Sequence, residues 1–121
     1  MKETVAIIGA SDNKEKYAYK AMQALLNQDH KIVLINKFKE KISGYKCYPS
    51  LEKYNGKIDT VTVYVSPEKL IDYLPQIKKI NPKRVIMNPG TEDAKLEKEL
   101  IEAGLKVDKA CTLVLLSTKQ F

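Results

Sequence analysis

The strongest constraint on this chain is a recurring pair of patterns. A short run of β-branched apolar residues is followed by a stretch whose apolar residues return every three or four positions. The first run, at residues 5–8 (Val5, Ala6, Ile7, Ile8), contains no polar residue, so it reads as a strand covered on both faces. It stops at Gly9. After a polar stretch at 11–15, Tyr17, Ala18, Ala21, Met22, Leu25 and Leu26 fall on one face of a helix. Residues 32–35 form a second buried strand, which gives 5–35 the order and length of a strand–helix–strand crossover. The pattern then repeats with a strand at 60–65 and a helix opened by Ser66 as N-cap and Pro67 as first residue. That helix carries the stripe Leu70, Ile71, Leu74, Ile77 and Ile80, and Pro75 inside it predicts a kink or a split. A fourth strand at 84–87 leads through Asn88-Pro89-Gly90 to a helix capped by Thr91, with Glu92 and Asp93 in its first turn and Gly104 closing it. A short fifth strand covers 105–108. Alternation of this kind predicts an α/β fold, a three-layer doubly wound parallel sheet of about five strands. Residues 44–54 read as an extended segment and a short helix starting near Ser50. The tail at 111–121 reads as a docked helix or an irregular segment, since too little chain precedes it for another parallel crossover.

Composition narrows the partners. The chain has 121 residues, which predicts one domain over 1–121, and a formal net charge of +6 from 21 basic and 15 acidic residues. The surplus favours anionic ligands. Arg84 is the only arginine and there is no Trp, so the arginine forks and indole faces of nucleic-acid readers are missing, and a phosphorylated small molecule is the favoured partner over nucleic acid. Cys47 and Cys111 form neither a disulfide framework nor a metal-ligand spacing. With no signal-peptide pattern and no apolar run of membrane-spanning length, a reduced cytoplasmic protein without a membrane partner is expected.

In open parallel sheets, ligands sit beyond the carboxyl ends of the strands, where strand order reverses. The residues that follow each strand are therefore the candidate site. Gly9, Ala10 and Ser11 form the first turn. A dinucleotide-binding turn normally carries three glycines, and this one has a single glycine. Gly9 permits the tight turn, Ser11 offers a hydroxyl, Lys14 or Lys16 a charge, and the following helix its free N–H groups. A plain turn with Ser11 as helix cap accounts for the same residues. Asn36 and Lys37 follow the second strand, where a NAD-binding fold has an acidic residue for the ribose. Lys37 instead favours an additional phosphate near the adenosine ribose, a feature that NADP and coenzyme A (CoA) share; Lys39 and Lys41 lie close behind. Val65, Ser66 and Pro67 end the third strand. Asn88 and Gly90 end the fourth, with Asn88 suited to hydrogen-bond an amide-bearing ligand chain such as pantetheine. Cys111 has no base to activate it, because His30, the only histidine, falls near the end of the first helix on the opposite edge of the sheet. Inert thiols are expected for both cysteines.

Taken together, these residues resemble the stand-alone CoA-binding domain family, whose Rossmann-like domain is similar to the amino-terminal part of the succinyl-CoA synthetase α subunit. The resemblance runs through VAIIGAS (5–11), VLINK (33–37), GYKCYPSL (44–51) and DTVTVYVSPE (59–68) to Cys111. It implies CoA as ligand, with the Gly9-Ala10-Ser11 turn at the phosphates, Lys37 near the adenosine 3′-phosphate, residues 65–67 beside the nucleotide and 88–90 toward the pantetheine. The sequence departs from the family where the first helix ends: relatives often have a glycine, and here Asp29 must take the left-handed position. The phosphohistidine domain of the synthetases is absent from this chain.

The expected function is therefore binding of CoA or a short acyl-CoA at the C-terminal edge of the sheet, by a carrier, sensor or regulatory module that is not itself an enzyme. Two alternatives stay open: an NADP-dependent oxidoreductase module, and an interaction subunit with a vestigial nucleotide pocket. Small folds of this type often pair, so a homodimer is compatible with the sequence, although no residue marks an interface.

Overall fold

A computed structural model describes residues 2–121. The chain runs β1 (Thr4–Ile8), α1 (Tyr17–Asn27), β2 (Lys31–Ile35), β3 (Lys41–Ile42), β4 (Tyr45–Tyr48), a single 3-10 turn (Leu51–Lys53), β5 (Thr60–Val63), α2 (Pro67–Ile80), β6 (Arg84–Met87), α3 (Ala94–Glu102), β7 (Lys106–Lys109) and α4 (Thr112–Ser117). The strands form one sheet in the order β3-β4-β2-β1-β5-β6-β7, parallel except for the β3–β4 pair. The chain leaves β1 toward β2 on one side and later returns to place β5 on the other. Strand order thus reverses between β1 and β5, and the crevice expected of a doubly wound sheet opens at their carboxyl ends.

Strand parity builds the layers. Successive side chains point to opposite faces. Val5 and Ile7 pack with Ala18, Met22 and Leu25 of α1 and Leu116 of α4. Ala6 and Ile8 pack with Leu70, Leu74 and Ile77 of α2 and Leu96 and Leu100 of α3. Fully burying one such aliphatic side chain is worth about 1.5–3 kcal/mol. The exposed ion pairs Lys78–Glu99 (2.6 Å) and Lys79–Glu52 (3.0 Å) contribute at most about 1 kcal/mol each, so apolar burial holds the helices to the sheet.

Two strands beyond the expected five come from the segment read as merely extended. Ser43 and Gly44 both adopt positive φ (51° and 83°), as a tight two-residue hairpin turn requires, and they pair Ile42 with Tyr45. The return strand β4 then docks parallel to β2, matching Leu34 with Cys47 and Ile35 with Tyr48. The short helix expected near Ser50 is the 3-10 turn. Pro75 neither splits nor ends α2. It lies on the exposed face of the helix, one turn after the half-exposed Ile71, whose carbonyl is the one left without its intrahelical partner. Thr91 is not the cap of α3. Asp93 is, accepting the Leu96 N–H at 3.0 Å, while Thr91 turns its hydroxyl to the Asn88 carbonyl (2.8 Å). The tail is a docked helix, α4, packed beside α1. Asp29 takes the left-handed conformation after α1 (φ 64°).

The amino-terminal edge of the sheet is closed by polar clasps. The Asp59 carboxylate accepts the Thr4 N–H at 2.9 Å, and its backbone N–H donates to the Thr4 carbonyl at 2.9 Å, so the start of β1 is fastened to β5. The backbone hydrogen bond, aided by the Lys83 ammonium, holds the Asp59 carboxyl below its ordinary range. Nearby, Arg84 donates to Thr60 Oγ1 (3.0 Å) and to the Phe121 carbonyl (3.0 Å), and its guanidinium lies 4.4 Å from the centre of the Phe121 ring. His30 meets the same ring edge-on at 5.0 Å. His30 Nδ1 accepts the Glu3 N–H at 3.0 Å, a bond only the unprotonated nitrogen can accept.

The carboxyl edge depends on Gly9. Its φ is +89°, and a Cβ there would lie 2.8 Å from both the Tyr64 carbonyl oxygen and Val65 Cγ1. Glycine lets the end of β1 press against the end of β5.

Two measurements test these readings. Gly9→Ala should lower the unfolding free energy by at least about 2 kcal/mol, combining a left-handed backbone with overpacking. Gly90→Ala, at φ +90° with nothing within 4 Å of the added carbon, should cost clearly less in the same denaturant titration. Equal costs would contradict the contact. Burial, opposed by Glu3, lowers the pKa of His30 from its ordinary 6.5. The unfolded chain therefore binds the proton more readily, so His30 contributes stability present above pH 6.5 and lost as pH falls through the folded value. Between about pH 7.5 and 5.5 the wild type should lose stability on acidification, with a shallower slope in His30→Leu. A steeper loss in the variant would contradict the assignment.

Candidate functional site

The crevice between the ends of β1, β2 and β5 is an open cleft of about 670 Å³, walled on its far side by α2. That size falls within the usual range for small-molecule sites. Its floor is Gly9, Ala10 and Ile35, and the Gly9 and Ala10 N–H groups donate to the Ile35 carbonyl at 3.3 and 3.2 Å. Of the residues singled out from sequence, Gly9, Ala10, Ser11, Lys16, Asn36, Lys37, Val65 and Ser66 line this one cleft.

Within it, Asn36 is the organising residue. Its Nδ2 donates to the Ala10 carbonyl at 2.8 Å, and its Oδ1 accepts the Phe38 and Lys39 N–H groups at 2.7 and 2.9 Å. One side chain thus ties the turn after β1 to the turn after β2. At the rim, Lys39 meets Asp12 at 2.9 Å and holds its carboxyl below the usual range. The lysine read as a secondary candidate therefore spans two loops. Lys41 lies in β3, the outermost strand.

Ser11 is not a helix cap. Helix α1 starts at Tyr17, with Lys16 as its N-cap residue, and Ser11 Oγ instead accepts the Asn13 N–H at 3.0 Å. The polar stretch after β1 is a loop, as its sequence suggests, and it brings the start of α1 round to the cleft. Lys16, Tyr17 and Ala18 line the wall there, and the first N–H groups of a helix have no intrahelical acceptor.

Lys37 extends toward α2, its Nζ 5.6 Å from the centre of the Tyr73 ring. Sequence reasoning missed this opposite wall. Lys69, Asp72 and Tyr73 stand at i, i+3 and i+4 on α2 and line the cleft together; that spacing is the signal that could have found them. Burial raises the Tyr73 phenol above its ordinary pKa. The charged residues of the lining are Lys16, Lys37 and Lys69 against Asp72 alone, so the cleft favours an anion.

Pro67, Asn88 and Gly90, also singled out from sequence, lie outside the lining of this cleft. Pro67 only starts α2. Asn88 is buried, and its Nδ2 donates to Thr62 Oγ1 (2.7 Å) and the Val63 carbonyl (2.9 Å) while its Oδ1 accepts the Thr112 N–H (2.9 Å). The amide expected to meet a ligand chain anchors α4 to the sheet. Gly90 is exposed and donates its N–H to Glu92 Oε1 at 2.7 Å. The Tyr64 hydroxyl, beside this polar cluster, is buried and has no hydrogen-bond partner of ordinary geometry among the described residues, while Thr62 and Thr112 bond to each other at 2.7 Å. Burial pushes its phenol up to about 12. Cys47 is buried and its thiol is raised by burial; Cys111 is part-buried, at the start of α4. His30 and Arg84 stand at the opposite edge. No described helix is long and apolar enough to cross a membrane.

The chain is similar to known proteins along its length. It is 33% identical over 109 residues to acetate–CoA ligase (ADP-forming) I of Archaeoglobus fulgidus, covering 84% of this chain but only 16% of that enzyme. Its fold superposes on a hypothetical protein from Pyrococcus horikoshii OT3 with a TM-score of 0.92, at 29% identity over 97% of this chain and 83% of that one. It superposes on a protein from Thermus thermophilus with a TM-score of 0.89, at 26% identity over 99% and 91% of the two chains. Residues 3–117 match the family model described as a CoA binding domain. With a Rossmann-like sheet and an anion-favouring cleft at its switch point, the chain belongs to the CoA-binding domain family.

Proposed function

We propose that the cleft binds CoA or a short acyl-CoA and that the chain acts as a carrier, sensor or regulatory module rather than as an enzyme. The observation that carries this reading is the position of Lys37, at the end of β2 and on the lining of the same cleft as the Gly9 turn, in a chain of the CoA-binding family. The diphosphate lies over the Gly9-Ala10-Ser11 turn, within reach of Lys16 and the first N–H groups of α1. Lys37 meets the 3′-phosphate of the adenosine end, and Val65 and Ser66 flank the nucleotide. Asn36 contacts the ligand less than it positions the two turns that do.

The non-catalytic reading rests on the same geometry. The lining contains no histidine or cysteine, and His30 lies at the far edge of the sheet.

NADP also carries a phosphate that Lys37 could meet, so the test compares ligands. In calorimetric titrations at low ionic strength, CoA should bind more tightly than dephospho-CoA by about fivefold or more, a modest gap for an exposed charged contact. Lys37→Ala should remove most of that gap, and added salt should shrink it in the wild type. Binding of NADP without CoA would overturn the CoA reading. Binding of none of these ligands would favour an interaction subunit. A gap that survives Lys37→Ala would displace Lys37 from its role.

A further inference from the structure

Phe38 has no structural reason to be where it is. It is 92% exposed, more than any other large apolar residue described, yet it lines the cleft, next in sequence to Lys37. An aromatic ring of this size ordinarily gains by leaving water. Nor is the backbone beneath it loose. The Phe38 N–H donates to Asn36 Oδ1 at 2.7 Å, the Lys39 N–H donates to the same oxygen at 2.9 Å, and the Lys39–Asp12 pair pins the next residue at 2.9 Å. The result is an uncovered apolar ring on a fixed turn, at the mouth of an anion-favouring cleft. A fixed platform loses little conformational freedom when a flat partner settles on it.

We infer that Phe38 is the stacking platform for the purine base of the bound nucleotide and closes the adenosine end of the cleft. This rests on the CoA reading and deepens it. The ligand it fits is a planar aromatic base whose ribose carries a phosphate, since the neighbouring lysine supplies the charge and the ring supplies the π-face. Base–aromatic stacking needs no hydrogen-bond pattern, so the residue sets affinity for the nucleotide end and not for the acyl end.

The test separates the two ends of the ligand. Wild type, Phe38→Ala and Phe38→Trp are titrated with CoA, adenosine 3′,5′-diphosphate and 4′-phosphopantetheine. Phe38→Ala should weaken CoA and adenosine 3′,5′-diphosphate by about tenfold, within the range of a lost base–aromatic stack, and leave 4′-phosphopantetheine unchanged. The chain has no Trp, so Phe38→Trp introduces a single indole whose fluorescence reports directly on that position. Adenosine 3′,5′-diphosphate should quench it and 4′-phosphopantetheine should not. A wild type that binds CoA while Phe38→Ala binds both adenosine ligands equally well overturns the stacking role and leaves the CoA reading standing. A wild type that binds none of the three overturns both. An exposed position leaves the fold of either variant intact, which circular dichroism checks.

Discussion

The approach of Gly9 to the Tyr64 carbonyl is the contact on which the site depends. Strand β1 has β2 on one flank and β5 on the other, and the two continuations diverge at its carboxyl end. With any side chain at position 9, the turn would be forced off the end of β5, since an added carbon would sit 2.8 Å from backbone and side chain alike. The lone glycine of the first turn is therefore a packing requirement. The other two glycines of a dinucleotide fingerprint have no counterpart here because the turn does not run straight into a helix: Ala10 and Ser11 lead into a loop, and α1 begins only at Tyr17.

Two polar clusters mark the two edges of the sheet. At the carboxyl edge, Asn36 ties two loops and three lysines gather around the cleft. At the amino edge, the sole arginine and the sole histidine are spent on Thr60, Glu3 and Phe121, where they close the sheet. Hydrogen-bonded and buried groups of this kind stabilise a fold but are not available to a ligand. The same division explains Asn88, whose three hydrogen bonds fasten α4 across β5 and β6.

Much of this was legible in the sequence because it follows from local periodicity. The parallel strands, the helix faces, the tail helix and the cluster from Gly9 to Ser66 all rest on apolar spacing or on strand ends. What was not legible depended on distant chain. The β3–β4 hairpin needs β2 as its template, and its signal is only Ser43-Gly44 between Ile42 and Tyr45. Pro75 sits on the exposed face of α2, a placement that only the packing of the helix on the sheet reveals. Asn88 looked like a ligand contact because it follows a strand, and only the tertiary placement of Thr112 shows what its side chain holds. Lys69 and Tyr73 reach the cleft from a helix, away from the strand ends that mark such a site in a sequence.

The central claim is that a CoA-type ligand occupies the switch-point cleft and no other surface. Backbone amide NMR of the wild type during a CoA titration tests it most directly. Shifts should concentrate at Gly9, Ala10, Ser11, Tyr17, Ala18, Lys37, Phe38, Val65 and Ser66, with His30, Arg84 and Asn88 little changed. Shifts centred on the His30–Arg84 edge, or none at saturating CoA, would contradict it.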